Sequence, residues 1–260
     1  MKNQLKALTT VVTMALASQA YAATDWILAS NYGTISGGVT VNALSNTGGT
    51  NNAANALDNG AAQTIQAATW TNTYGGVYNA DACSSGSYCD LNETVNPEHS
   101  IDNNQRYDMV LLSFSSVVKL TQMKLGWFQN DSDVTVMAYT GVGAPTLVGK
   151  TYSQLAAANS GWSLIGNYAN IGSTNPANIN AGGVFSSYWL IGAYNPLVSG
   201  ATTGAMLTDS YDYVKLASVS GCVQGATGCN PPSKVPEPGS LALMGVGLLG
   251  LLRMRKAAKA

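Results

Sequence analysis

Charged residues are scarce in this chain of 260 residues, because only 10% of them are Asp, Glu, Lys or Arg, against about 25% in an average soluble domain. Between residues 23 and 234, twelve acidic side chains face six basic ones, which leaves a net charge of −6. No cluster of lysine and arginine occurs in that stretch. Binding to nucleic acid needs several cations in contact with phosphates, so the composition predicts that nucleic acid is not a partner.

Histidine is nearly absent too, since His99 is the only one in the chain. A Ser-His-Asp site would have to use it, but Ser100 and Asp102 are only its neighbours along the chain, and no Gly-x-Ser-x-Gly elbow occurs. A glycosidase needs two carboxylates that face each other across a cleft. The only glutamates upstream of the C-terminal segment, Glu93 and Glu98, lie close together in one loop. We therefore predict a protein that is not an enzyme and assign no catalytic residue; a glycoside hydrolase is the least favoured alternative.

The first 22 residues have the pattern of a secretory signal peptide. Two lysines precede an apolar run over residues 7–17, and Ala-Tyr-Ala ends the segment. The apolar run is too short to span a bilayer. We expect signal peptidase to cleave between Ala22 and Ala23, so that residues 1–22 are removed from the mature protein.

A second apolar run, residues 241–252, lies close to the C-terminus and is followed by four basic side chains, Arg253, Arg255, Lys256 and Lys259. A helix over this run is only ~18 Å long, whereas the hydrocarbon core of a bilayer is ~30 Å thick. The basic tail is expected to stay on the cytoplasmic side. We therefore divide the chain into a signal peptide (1–22), one domain (23–230), a linker (231–238), a short transmembrane helix (239–252) and a basic cytoplasmic tail (253–260).

The end of the linker carries the sequence Val-Pro-Glu-Pro, with the motif at Pro236, Glu237 and Pro238. Together with the glycine-containing apolar run and the basic tail, it resembles the PEP-CTERM sorting signal, which membrane proteases called exosortases recognise in bacteria. The resemblance implies that the helix holds the precursor in the membrane transiently and that cleavage near the motif removes the tail. The alternative is an ordinary single-pass anchor in which the motif is incidental.

Four cysteines fall into two local pairs, Cys83 with Cys89 and Cys222 with Cys229. Four cysteines allow three connectivities. Export favours disulfide formation, and we favour the two local pairings because the intervening loops contain glycine. Zinc binding is disfavoured, because no Cys-x-x-Cys spacing occurs.

From residue 106 onwards, apolar residues alternate with a period of two in several short runs separated by turn residues, which predicts an all-β domain. The first run places Val110 and Leu112 on one face and Met109 on the other, so both faces of that strand are expected to be buried. Trp127 and Trp189 lie within apolar runs and are expected in the core. One short helix is predicted over residues 153–159, capped by Ser153. The pattern favours a β-sandwich of jelly-roll type.

The segment over residues 98–141 is similar to the core of a group of exosortase-dependent surface proteins. The similarity is carried by Asp102-Asn103, by Phe114, by Gly126-Trp127 and by Asp131-Ser132-Asp133. The resemblance implies a surface location and carries no known catalytic residue. Together with the sorting signal, it leads us to expect an exported protein of the cell envelope, cell surface or extracellular matrix.

Hard oxygen ligands lie near the predicted strand ends, which makes structural calcium the one candidate cofactor. The candidate ligands are Asp102, Asn103, Asp108, Asp131 and Asp133. The alternative is that these side chains cap turns and bind no metal.

Phenylalanine is rare, with three residues against 13 tyrosines and five tryptophans. Rings with polar tips serve as stacking platforms for sugars when they are exposed. Tyr74, Tyr78 and Tyr88 lie in loops rich in Gly, Asn and Ser and are the candidate contacts for a glycan such as an exopolysaccharide. A glycan-binding module, with or without calcium, is therefore the alternative to a structural surface protein.

Overall fold

The computed structural model of the chain describes residues 23–48, 63–79, 99–104, 106–172, 176–199, 207–208 and 212–229. Several predictions lie outside these residues. They concern the signal peptide, the 83–89 cysteine pair, Tyr88, the linker, the C-terminal helix and the basic tail.

The described residues form eleven strands that pair antiparallel in one connected sheet, so the all-β prediction is confirmed. The strands are β1 (Thr24–Ile27), β2 (Val39–Gly48), β3 (Thr64–Thr71), β4 (Gly76–Tyr78), β5 (Ile101–Asp102), β6 (Asp108–Asn130), β7 (Val134–Tyr139), β8 (Trp162–Tyr168), β9 (Ala177–Asn178), β10 (Ser186–Ala193) and β11 (Asp212–Val223).

The long strand β6 belongs to two parts of the sheet. In the front part the strand order is β4-β3-β2-β6-β10-β7-β8, and residues 108–114 of β6 pair with β2. In the back part, residues 118–130 of β6 pair with β11, which also pairs with β1 and β5. The exposed residues 115–117 lie between these two stretches. One strand thus connects the two parts without a loop.

Both parts of the sheet contribute to a single hydrophobic core. Val110 and Leu112 of the front part share this core with Val214 and Leu216 of the back part. Trp189 is fully buried in it, as predicted, and its indole N–H donates to the carbonyl of Ser186 at 3.1 Å. Two further rings meet edge to face across the parts, since the ring centroids of Trp26 in β1 and Phe114 in β6 are 5.0 Å apart.

The other face of the front part is buried as well. Met109 and Leu190 pack there in a second cluster, with the short helix α1 (Tyr152–Ala156) and the single turn α2 (Pro196–Ser199) nearby. Both faces of the first half of β6 are therefore buried, as predicted. The predicted cap of α1 at Ser153 is wrong, because Thr151 caps the helix through a capping box with Gln154.

The prediction that Trp127 lies in the core is also wrong. The pairing of β6 with β11 shifts register where Lys215 lies opposite Trp127 and Leu216 opposite Leu125, which leaves Gly126 as an extra residue. An extra residue in one strand reverses the alternation of side chains beyond it. Leu125, before the extra residue, lies in the core. Trp127, beyond it, is consequently only half-buried and lies beside Lys215.

Residue contacts divide the chain into a compact unit of residues 22–224 and a second unit of residues 1–21 and 225–260. Only residues 225–229 of the second unit are described. Within the described ranges, neither helix is long and apolar enough to cross a membrane.

Candidate functional site

Three carboxylates from two distant parts of the chain meet where β6 ends and β11 begins. Asp131 follows β6, Asp133 precedes β7, and Asp212 is the first residue of β11. Each offers an oxygen, and these oxygens all lie within 4.8 Å of one another. Asp133 and Asp212 are fully buried, while Asp131 is half-buried. We call this group the acidic cluster.

Every carboxylate oxygen of the acidic cluster accepts a hydrogen bond. The distances run from 2.6 Å, for the backbone N–H of Asp133 to Asp212, to 2.9 Å for the two bonds that Thr208 donates. The remaining donors are the backbone N–H of Ser132, the backbone N–H of Asn170 and the side-chain amide of Asn103. The cluster therefore joins five separate stretches of chain.

Burial makes the charged forms of Asp133 and Asp212 unfavourable. Desolvation raises the pKa of Asp212 to about 8, and the nearby charges of Asp133 and Asp131 act in the same direction. Desolvation raises the pKa of Asp133 as well, although the backbone N–H groups of Asn170 and Thr208 oppose that shift. A group of this kind can retain a proton at neutral pH, or it can ionise fully if a cation compensates its charge.

The predicted calcium ligands are only partly brought together. Asp131 and Asp133 are in the acidic cluster, and Asn103 binds Asp212 through its side-chain amide at 2.6 Å. The carboxylate of Asp102 instead accepts hydrogen bonds from the hydroxyl of Ser100 and the backbone of Asn104, at 3.0 Å each. It is not one of the three carboxylates whose oxygens converge.

Asp108 lies elsewhere, at the start of β6 opposite Ser45 of β2. Its charge is close enough to Tyr152 of α1 to add to the rise in the pKa of that buried phenol, which burial dominates. Asp212 was absent from the predicted set. The signal that could have found it is the acidic residue at the start of an otherwise apolar strand.

Two of the three predicted glycan contacts lie within the described residues. Tyr74 is 49% exposed and Tyr78 is 41% exposed. The ring of Tyr78 packs edge to face on that of His99, with centroids 5.3 Å apart. The ring of Tyr74 lies beside Lys215, whose ammonium nitrogen is 5.2 Å from the ring centroid.

The second cysteine pair forms a disulfide between Cys222 and Cys229. Cys222 lies near the end of β11, and the loop returns through a turn in which the backbone N–H of Cys229 donates to Ala226 at 2.9 Å. Gly225 and Gly228 adopt positive φ angles of 84° and 82° there, which other residues adopt only at a cost. The loop glycines on which the prediction of a local disulfide depended thus allow the chain to turn between the two cysteines.

Replacing Cys222 and Cys229 together with serine should lower the free energy of unfolding by about 2.5 kcal/mol, since the bond restricts a short loop in the unfolded chain. Urea unfolding without reductant measures the change. Thr227→Ala in the same loop is the control and should leave stability unchanged, because Thr227 is exposed. A double variant as stable as the wild type would contradict a stabilising role for this bond.

Residues 234–256 match the family model of the PEP-CTERM protein-sorting motif. The chain carries a PEP-CTERM sorting motif. The match includes Pro236, Glu237 and Pro238 and extends into the basic tail, so the predicted resemblance is confirmed.

A PEP-CTERM motif implies an exported protein that an exosortase, a membrane protease, processes on its way to the cell surface. The motif covers only the end of the chain, and it assigns no role to the acidic cluster or to the exposed tyrosines. Neither a curated protein nor a solved structure matches the chain.

Proposed function

We propose that the chain is an exported, non-catalytic protein of the cell surface or extracellular matrix. The PEP-CTERM match over residues 234–256 carries this proposal. In it, signal peptidase cleaves between Ala22 and Ala23, and the short helix over residues 239–252 holds the precursor in the membrane. An exosortase-type protease then cleaves near Pro236-Glu237-Pro238 and removes the helix and the basic tail, so that membrane insertion is transient.

The domain between the two signals is suited to a structural role. We propose that the two parts of the sheet form a β-sandwich of jelly-roll type, because they share one core and because strands distant in sequence, β2, β6 and β10, are neighbours in the front part. A continuous core and a disulfide favour persistence outside the cell. His99, the residue that a Ser-His-Asp site would need, packs against an exposed tyrosine ring.

Measuring the intact mass of the protein recovered from its producing cells tests the sorting proposal. The expected mass corresponds to a chain that begins at Ala23, ends near the Pro-Glu-Pro motif and has lost two hydrogens for each disulfide. Recovery of the protein from the membrane with Lys259 still attached would overturn the proposal.

Glycan binding is the second candidate function, and it is favoured by the exposure of Tyr74 beside a lysine and a second aromatic ring. Stacking of a sugar on such rings is a common mode of carbohydrate recognition. Retention of the processed protein on the exopolysaccharide of the producing strain tests it. Retention no greater than that of serum albumin would contradict it.

We propose further that the acidic cluster binds a structural calcium ion. Three carboxylates that converge in a buried site offer the hard oxygen ligands that calcium prefers. Asp131, Asp133 and Asp212 are the residues that would hold it, with Asn103 orienting Asp212 through its side-chain amide. The ion would compensate the charge that burial otherwise disfavours.

A further inference from the structure

Lys215 lies between two aromatic rings on the back part of the sheet. Its ammonium nitrogen is 5.1 Å from the ring centroid of Trp127, its pairing partner on β6, and 5.2 Å from that of Tyr74. Both distances are within the range of cation–π attraction. Tyr74 is exposed and Trp127 is half-buried, so solvent reaches both rings. We call Tyr32, Tyr74, Trp127 and Lys215 the aromatic patch.

Tyr32 completes the aromatic patch and helps to fix its geometry. Its hydroxyl donates to the backbone carbonyl of Tyr74 at 3.3 Å. Its ring lies against Gly126, where an added Cβ would collide with it. The glycine that displaces Trp127 from the core therefore also makes room for the ring of Tyr32.

The loops that carry the two tyrosines are held in place by backbone hydrogen bonds. Ser30 donates to Asn72 at 2.8 Å, and Asn31 donates to Thr73 at 3.1 Å. The backbone N–H of Leu216, next to Lys215, donates to the carbonyl of Gly75 at 2.7 Å. The loops are thus joined to each other and to β11, so the rings need little ordering when a ligand binds.

Basic side chains are few in the domain, and some of them belong to this part of the sheet. The region between residues 23 and 234 has a net charge of −6 with only six basic side chains. Among them, Lys215 and the exposed Lys124 belong to the β6–β11 ladder, where Lys215 is opposite Trp127 and Lys124 is opposite Ser218. Cations beside exposed rings suit a ligand that has both apolar C–H faces and negative charge. Nucleic acid also has both features, but two lysines provide too few phosphate contacts.

We propose that the aromatic patch binds an acidic polysaccharide, with sugar rings stacked on Tyr74 and Trp127 and a sugar carboxylate paired with Lys215. This proposal rests on the glycan-binding function above and specifies its site and ligand class. The site shares only Tyr74 with the contacts predicted from sequence.

Affinity electrophoresis of the processed wild-type protein through gels containing polygalacturonate or dextran tests the proposal. We expect retardation by polygalacturonate, weakened by added salt, and none by dextran, which is neutral. Tyr74→Ala and Lys215→Gln should each weaken binding roughly tenfold, and Tyr74→Phe should retain it. Lys150→Gln is the matched control for Lys215→Gln, because Lys150 is also half-buried and lies outside the aromatic patch.

The possible results distinguish a wrong assignment of the binding site from a failure of the glycan-binding function itself. Binding to polygalacturonate that Tyr74→Ala and Lys215→Gln leave unchanged, at unaltered melting temperatures, would overturn the assignment of the site and leave glycan binding intact. Binding to dextran alone would overturn the acidic class of ligand. Retention on neither polysaccharide would overturn this inference, and glycan binding itself fails only if the producing strain's own exopolysaccharide is not bound either.

Discussion

Replacing Pro236, Glu237 and Pro238 together with alanine is expected to prevent C-terminal processing almost completely. The three residues lie within the matched sorting motif and are, in the function proposed above, the part that the protease recognises. The apolar run and the basic tail remain intact, so export and arrest in the membrane should be unaffected. The variant should therefore accumulate in the membrane fraction as a precursor that has lost its signal peptide and retains Lys259, as intact mass and immunoblotting of cell fractions will show.

Two prolines just upstream of the motif provide a matched control for that experiment. Pro231 and Pro232 belong to the same linker but lie outside the matched residues. Replacing both with alanine alters the stiffness of the linker and leaves the motif unchanged, so processing should continue. Release of the motif variant at the wild-type rate would show that the protease does not read Pro-Glu-Pro.

Stability of the metal-free protein is expected to fall as the pH rises from about 4 to 8. The pKa of Asp212 is about 8 in the folded protein, against an ordinary value of 3.8, so across this window the folded state holds a proton that the unfolded state has lost. The stabilisation that this proton provides is complete below 3.8, the pKa of Asp212 in the unfolded chain. It is lost as the pH rises through the folded-state pKa of about 8. One such proton corresponds to a slope of at most about 1.4 kcal/mol per pH unit. Urea unfolding in EDTA at several pH values measures it.

Asp212→Asn should flatten that slope, because the amide does not titrate. Asp25→Asn is the control, since Asp25 is an exposed carboxylate on β1 remote in sequence from the acidic cluster. Its replacement should leave the slope unchanged. An equal slope in the Asp212→Asn protein would mean that other groups account for the pH dependence.

Calcium is expected to stabilise the EDTA-treated wild type at pH 7.5. A Kd of about 10⁻⁴ M, within the range of extracellular calcium modules, gives about 2.3 kcal/mol at roughly 5 mM Ca²⁺. For a domain of this size the melting temperature should rise by roughly 5–9 °C. Asp212→Asn should remove most of that rise. A wild-type melting temperature that neither EDTA nor calcium alters would leave the cluster as a set of hydrogen-bonded carboxyl groups without a metal.

The sequence predicted local alternation well and failed where tertiary pairing changed it. Val110, Leu112 and Met109 fall on the faces that a period of two assigns to them, because no irregularity interrupts that stretch. Trp127 does not, because the register shift at Gly126 depends on how β11 pairs with β6. The sequence of β6 alone does not encode that pairing.

The acidic cluster was found only in part for the same reason. Asp131 and Asp133 are near neighbours in the chain and share a turn, so their spacing indicates a pair. Asp212 is 79 residues from Asp133 along the chain and reaches it only because β11 returns beside the end of β6. The cap of α1, by contrast, is encoded locally by the pattern Thr-x-x-Gln, and the prediction at Ser153 is wrong by two residues.

The pairing of the first strand with the last has a consequence for the timing of folding. Thr24 of β1 lies opposite Gly221 of β11, so two segments from opposite ends of the domain must meet. Contacts between segments so far apart in sequence are slow to form. In a chain exported N-terminus first, β1 would cross the membrane long before β11 and would remain unpaired until β11 follows. A pause in translocation at the C-terminal segment would then give the late-arriving β11 time to join it before the protease releases the product.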